Sequence, residues 1–106
     1  MRPSGYIDFA RLMARFIVEH YLPGSTAIER EGDVERTHGA RAALSRDGAV
    51  LLSSLIIDAD EMCMHLFDAD GASTVVAAHE QFGLECDRIV EVRMPLLDDP
   101  ARSAAS

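Results

Sequence analysis

The sequence predicts an α+β domain in which a four-stranded antiparallel sheet carries two helices on one face. Segments with strand and helix patterns follow in the order strand, helix, strand, strand, helix, strand. The two middle strands, within Ala49–Phe67, are apolar on both faces, whereas a small antiparallel sheet normally keeps one side wet. At 106 residues the chain is one domain and is too short to cover both faces by itself.

Turn and capping residues mark the first strand and the first helix. Alternating apolar side chains predict a strand over Arg15–Leu22. Pro23-Gly24 ends it, because proline cannot donate to a strand ladder and glycine permits the turn. Ser25 or Thr26 can then cap a helix, which we expect to run over 27–45. Its apolar stripe is thin.

The second half of the chain contains a hairpin, a helix and a last strand. Asp58-Ala59-Asp60 forms the hairpin turn between the two apolar strands. Asp70-Gly71-Ala72-Ser73 opens the second helix, and Gly83 is well placed as its C-cap. Clean alternation predicts the last strand over Asp87–Met94.

This order of elements is the split βαβ pattern of the ferredoxin-like fold, βαββαβ. We expect strands one and three side by side in the middle of the sheet and parallel to each other, flanked by strands four and two. Both helices cover one face, and a second copy of the chain is the expected cover of the other, giving a sheet-mediated homodimer. The domain spans residues 15–94, between an N-terminal lead-in at 1–14 and a flexible tail at 95–106.

Composition excludes several classes of partner. The net charge is −8, and all ten basic residues are arginines spread along the chain, so neither nucleic acid nor an anionic membrane is expected as a partner. No apolar run approaches the ~20 residues of a membrane span, and the N-terminus lacks the features of a secretory signal. Cys63 and Cys86 are too few for a disulfide framework or a zinc knuckle. A soluble cytoplasmic protein is predicted.

Histidines are the residues best suited to chemistry. His20 lies near the end of strand one and His65 near the end of strand three, so their imidazoles come close if they share a face. His79 lies on the apolar side of the second helix. Imidazole suits nickel, zinc and copper, so His20, His65 and His79 are the candidate metal ligands, with nickel or zinc as the candidate ion. The alternative is that each is a hydrogen-bonded core residue, which is the commoner fate of a histidine on an apolar face.

Other motifs point to no reaction. Ser53-Ser54 lies in mid-strand with no nucleophile elbow or paired base nearby in the sequence. The acidic turn at 58–61 is far from an EF-hand loop. No catalytic residue is predicted from the sequence.

Three segments together carry a family resemblance: VEHYLPG at Val18–Gly24, HLFDA at His65–Ala69, and Gly83-Leu84 followed by DRIVEV at Asp87–Val92. Over about residues 15–94 the chain resembles a family of small bacterial proteins of unknown function that includes nickel-binding members. The resemblance implies a ferredoxin-like fold, a homodimer and, for some members, nickel binding, but no reaction. The chain departs from the family at two positions, where His20 replaces a more usual arginine and His65 a more usual cysteine.

Three functions are therefore open. The first is a non-enzymatic metal-binding protein that holds nickel or zinc near His20, His65 and His79. The second is a dimeric ferredoxin-like enzyme of the monooxygenase or isomerase type, in which one of these histidines shuttles a proton to or from a small apolar compound. The third is a protein interaction module that uses the apolar face of its sheet.

Overall fold

The computed structural model describes residues 13–95, which form a four-stranded sheet and three α-helices. The strands are β1 (Ala14–Tyr21), β2 (Val50–Ile57), β3 (Met62–Ala69) and β4 (Arg88–Val92), and the helices are α1 (Ala27–Gly39), α2 (Arg41–Arg46) and α3 (Ala72–Gln81). The predicted α+β class is confirmed. Most of the predicted lead-in at 1–14 and of the predicted tail at 95–106 lies outside the described residues.

The strand order is β2-β3-β1-β4, which confirms the predicted neighbours. Every pair of neighbouring strands is antiparallel. The expectation that β1 and β3 run parallel is wrong. Strand β2 runs in the same direction as β1, and the tight turn at Asp58–Asp60 reverses the chain into β3, so β3 runs opposite to both.

Local signals fixed most of the element ends. The hydroxyl of Thr26 accepts a hydrogen bond from the Glu29 backbone at 3.2 Å, and the Glu29 carboxylate accepts one from the Thr26 backbone at 2.9 Å, forming a capping box at the start of α1. Gly83, which follows α3, has φ +65°, a conformation that favours glycine. The N-cap of α1 at Thr26 and the end of α3 at Gly83 were both predicted.

The predicted long helix over 27–45 is two helices, α1 and α2, that meet at Ala40. This residue has φ −90° and ψ 2°, outside the helical range. Gly39 precedes it, and glycine is about 1 kcal/mol less favourable than alanine inside a helix. Leu44, in the short helix α2, is completely buried in the core.

The apolar core lies between the helices and one face of the sheet. Phe16 and Val18 from β1 and Phe67 from β3 are its main strand residues. The core also includes, from the remaining elements, Leu44, Ala49, Leu51, Ala69, Val75 and Ala78. Among the described residues, no helix combines the length and the apolarity needed to cross a membrane.

The opposite face of the sheet is mainly apolar along the β2–β3 hairpin, as the sequence predicted. It forms an open groove of about 510 Å³ whose lining includes Ile17, Leu55, Met64, Leu66 and Val92. Leu55 is 59% exposed. The two-sided apolarity of the hairpin is therefore confirmed in the fold.

A β-bulge interrupts β2. Leu51 pairs with Phe67, but the next pair joins Ser53 to Leu66, so Leu52 is an extra residue without a partner in the β3 register. The extra residue shifts the alternation of faces. Ser54 therefore lies opposite His65 on the helix-facing side, whereas Ser53 lines the groove on the other side.

Candidate functional site

Two histidines from the central strands converge on one buried carboxylate from α1. In the register of β1 and β3, His20 pairs with Cys63 and His65 pairs with Val18, so both imidazoles lie on the helix-facing side. The Nδ1 atom of His20 is 2.6 Å from Oδ1 of Asp33, and the Nε2 atom of His65 is 3.0 Å from Oδ2. All three residues are buried.

The inward side of α1 is polar, which explains how the carboxylate comes to lie there. Arg30, Asp33 and Thr37 are the buried residues of this helix, at the spacing that places them on one side. Arg30 is paired with Asp58 at 2.9 Å. The hydroxyl of Thr37 donates to the Asp33 carbonyl oxygen at 3.0 Å. These polar residues at helical spacing are the sequence signal that indicates Asp33. The apolar stripe of the helix, considered alone, does not reveal it.

The two imidazoles keep Asp33 ionised. Burial by itself raises the pKa of this carboxyl, but the hydrogen bond from His65 and the charge and hydrogen bond of His20 outweigh burial and lower the pKa to about 2. A carboxylate can only accept hydrogen bonds. Both facing nitrogens, Nδ1 of His20 and Nε2 of His65, therefore carry a proton.

The network continues from His65 to a serine. The Nδ1 atom of His65 is 2.7 Å from the hydroxyl oxygen of Ser54, and the same oxygen is 3.0 Å from Nε2 of His38. Ser54 is half-buried and His38 is exposed. Hydrogen bonds therefore lead from the buried Asp33 to the protein surface.

The other end of the network leads from His20 to two carboxylates that precede β4. The Nε2 atom of His20 is 3.3 Å from Oε2 of Glu85. Together with Asp87, these residues offer three metal-ligand atoms that lie within 4.8 Å of one another. The Asp87 carboxylate accepts a hydrogen bond from the Tyr21 backbone at 2.8 Å, and its own backbone donates to the Glu19 carbonyl oxygen at 3.1 Å.

His79 lies in the core beside the network. Its Nδ1–H donates to the Val75 carbonyl oxygen at 2.8 Å, and its ring meets Phe67 edge-on with 5.1 Å between centroids. Its Nε2 is buried and, alone among the buried side-chain nitrogen and oxygen atoms of the described residues, has no hydrogen-bond partner. Burial lowers the pKa of His79, so the ring is neutral at physiological pH.

Cys63 also lies at the edge of this region. Its thiol donates to the Arg30 carbonyl oxygen at 3.4 Å and is buried. Burial, with a further contribution from Asp33, raises the pKa of the Cys63 thiol to about 11. The thiol is therefore protonated and unreactive, as expected for a small buried hydrophobe.

The structure brings two of the three predicted ligands together. His20 and His65 share Asp33, whereas His79 makes its hydrogen bond within α3. A metal site made jointly by all three histidines stays a prediction. Sequence reasoning missed Glu85 and Asp87, because they lie in the connection before β4, where no sequence pattern indicates which side chains face His20.

Fold and site together define a class: a small α+β protein with a buried histidine–aspartate–histidine network that reaches the surface at both ends. No family model and no curated protein matches the chain. The fold is similar to that in the crystal structure of SCO4226 from Streptomyces coelicolor A3(2), with a TM-score of 0.60 and 21% sequence identity. The likeness covers 76% of this chain and 98% of the other, and it shows a shared fold.

Proposed function

We propose that the protein binds a transition metal ion, nickel or zinc, through His20, Glu85 and Asp87. One observation carries the proposal: the His20 ring holds a buried carboxylate at Nδ1 and faces a second, exposed carboxylate at Nε2. Metal-bound histidines commonly donate their other ring N–H to a carboxylate in this way, which fixes the ring and increases its basicity as a ligand.

The protons on His20 explain why a cation suits this position. With Nδ1–H donated to Asp33, a neutral ring presents the lone pair of Nε2 to the Glu85 carboxylate at 3.3 Å. Two electron-rich groups at this distance repel each other. A positive species between them, either a second proton on the ring or a metal ion, removes the repulsion.

The spacing of His20 and Glu85 fits such an ion, and Asp87 lies within 4.8 Å of both. Ligands ~2.1 Å from a tetrahedral ion lie ~3.4 Å from one another, and the His20 and Glu85 atoms are already 3.3 Å apart. The Glu85 side chain is 70% exposed, so it can move toward an ion. One imidazole and two carboxylates suit zinc or nickel, with water completing the coordination. The net charge of −8 favours cations generally.

Metal titration of the native protein by equilibrium dialysis tests the site. We expect E85Q, which changes an exposed side chain, to weaken nickel and zinc binding, and H20A to abolish it. H38A is the matched control, because His38 is a histidine outside the cluster, and it should bind as the wild type does. Equal binding by wild type and H20A would exclude the site.

Two further variants separate this site from the three-histidine site. Both ring nitrogens of His65 already have partners, Asp33 and Ser54, so His65 joins a metal only by giving up one of them. We expect H65A and H79A to keep measurable binding. If either one abolishes binding while E85Q does not, the ligands are His20, His65 and His79 instead.

The position of the groove favours metal binding over the monooxygenase or isomerase alternative. A reaction on a small apolar compound needs a large apolar pocket beside the histidines. The groove lies on the far face of the sheet, lined by residues such as Ile17 and Leu66, whereas His20 and His65 face the helices.

We further infer that the fold is ferredoxin-like and that a second copy of the chain covers the groove. The strand order supports the first inference, as does the motif resemblance to the family of small bacterial proteins that includes nickel-binding members. The mainly apolar lining of the groove supports the second, because an exposed apolar patch of this kind is typical of a protein–protein interface. Light scattering should give a dimer mass for the wild type and a monomer mass for L55E. I28E is the control and should remain dimeric, because Ile28 is an exposed aliphatic residue on α1.

A further inference from the structure

We propose that Ser54, His65 and Asp33 form a nucleophilic triad, and that the chain accepts acyl or phosphonyl groups from small activated esters and fluorophosphonates on the Ser54 hydroxyl. The distances are those of a working triad: 2.7 Å from the Ser54 oxygen to Nδ1 of His65, and 3.0 Å from Nε2 of His65 to Asp33. The ring is used in the opposite sense to that in serine proteases, where Nε2 faces the serine, but the three roles are the same.

The hydrogen-bond donors follow from the geometry. The Asp33 carboxylate can only accept, so Nε2 of His65 carries the ring proton and Nδ1 is the bare acceptor. The Ser54 hydroxyl therefore donates to Nδ1. His38 then donates its Nε2–H to the Ser54 oxygen at 3.0 Å, which leaves one lone pair of that oxygen for attack. Such a hydroxyl has both a base and an orienting group.

The reaction balances with these groups alone. The Ser54 oxygen attacks the electrophilic carbon or phosphorus, and its proton passes to Nδ1 of His65. The bond to the leaving group breaks. An alkoxide leaving group takes this proton from His65, whereas fluoride departs as the anion and His65 then loses the proton to solvent. Asp33 stabilises the imidazolium that forms in between. Water then releases an acyl group, while a phosphonyl adduct remains on the serine.

The neighbouring serine provides an internal comparison. Ser53 differs from Ser54 by one position in β2, yet the bulge at Leu52 places it on the groove side, opposite Leu66. It lies on the other face from His65 and His38. If Ser54 and Ser53 differ in reactivity, the difference is therefore due to the environment of each serine and not to a general reactivity of exposed hydroxyls.

Labelling of the native full-length chain with a fluorophosphonate probe, in the presence of a chelator, tests the triad. We expect one adduct, located on Ser54 by peptide mass spectrometry, which is lost in S54A and retained in S53A. D33N, which removes the positioning carboxylate, should label at least about tenfold more slowly. Urea unfolding of each variant establishes that it is folded.

Mapping the adduct in the wild type keeps the test independent of variant folding. An adduct on Ser53 or any other residue, or an unlabelled native protein, would overturn the proposal. So would equal labelling rates for wild type and a folded S54A. Because the chelator removes free metal, the outcome does not depend on whether His20, Glu85 and Asp87 bind an ion.

Discussion

Replacing Asp33 with asparagine is the sharpest test of the buried network, because one carboxylate accepts from two imidazoles. Asparagine has about the same size, but its side chain offers one accepting oxygen and one donating nitrogen. It can accept from either His20 or His65, and the other ring then faces a donor. That ring must change its tautomer. If it is His65, its Nδ1 becomes a donor and no longer accepts a hydrogen bond from Ser54.

The cost follows from the perturbed pKa of the carboxyl. The interactions that lower the Asp33 pKa from 3.8 to about 2 correspond to about 2.5 kcal/mol in favour of the ionised form. Asp33 is 3% exposed, so solvent screens this energy little. We expect D33N to lower the free energy of unfolding at neutral pH by about 2.5 kcal/mol.

The pH dependence gives a second, independent readout. A carboxyl whose folded pKa lies below its unfolded pKa stabilises the fold above the unfolded value, and this stability is lost as the pH falls toward the folded value. The Asp33 contribution is therefore complete above about pH 5 and falls by about 1 kcal/mol by about pH 3. D33N lacks this part of the acid dependence.

Urea unfolding of wild type and D33N, followed by circular dichroism between neutral and acidic pH, measures both effects. E31Q is the matched control, because Glu31 is an exposed acid two residues away on the same helix. It should change stability by less than about 0.5 kcal/mol. A D33N protein as stable as the wild type, or one with the same acid dependence, would refute the assigned role of the carboxylate.

Three further perturbations test other parts of the molecule. Burial lowers the pKa of His79, so protonation of this ring opposes folding, and wild-type stability declines as the pH falls through about 6.5. H79L should flatten this decline in urea titrations. An unchanged dependence of stability on pH would contradict the neutral buried ring. Because its thiol is buried and its pKa is raised to about 11, Cys63 should resist iodoacetamide at mildly alkaline pH in the native protein and react after urea unfolding. Rapid alkylation of Cys63 in the native protein, detected by mass spectrometry, would argue against its burial. T26A removes the capping box of α1 and should cost about 1 kcal/mol of unfolding free energy, while S45A, at an exposed position, should cost little.

Local signals in the sequence predicted much of the fold. The turn after β1, the Thr26 cap, the Asp58–Asp60 turn and the Gly83 stop all depend on residues close to one another in the chain. Alternation of apolar residues located the strands to within a few residues. The break at Ala40 was missed, because the cost of one glycine is too small to predict where a helix ends.

The candidate site was only half predictable for a different reason. His20 and His65 stand out by residue type, but the face they share depends on the register of β1 and β3, which the sequence left open. Their common partner Asp33 comes from a polar helix face, and the Ser54 position depends on a one-residue bulge that no local pattern reveals. The sequence shows no base near Ser54, whereas the fold places the imidazoles of His38 and His65 next to it.

The same bulge also affects how copies of the chain can meet in solution. Strand β2 is at one edge of the described sheet, and its sequence VLLSSLII is strongly apolar and rich in residues that favour strands. An uninterrupted edge of this kind is a template for aggregation. The extra residue at Leu52 breaks the regular spacing of backbone groups along this edge, so an incoming strand cannot pair along its full length. A shorter β2 without Leu52 would be the version of this protein most prone to form fibrils.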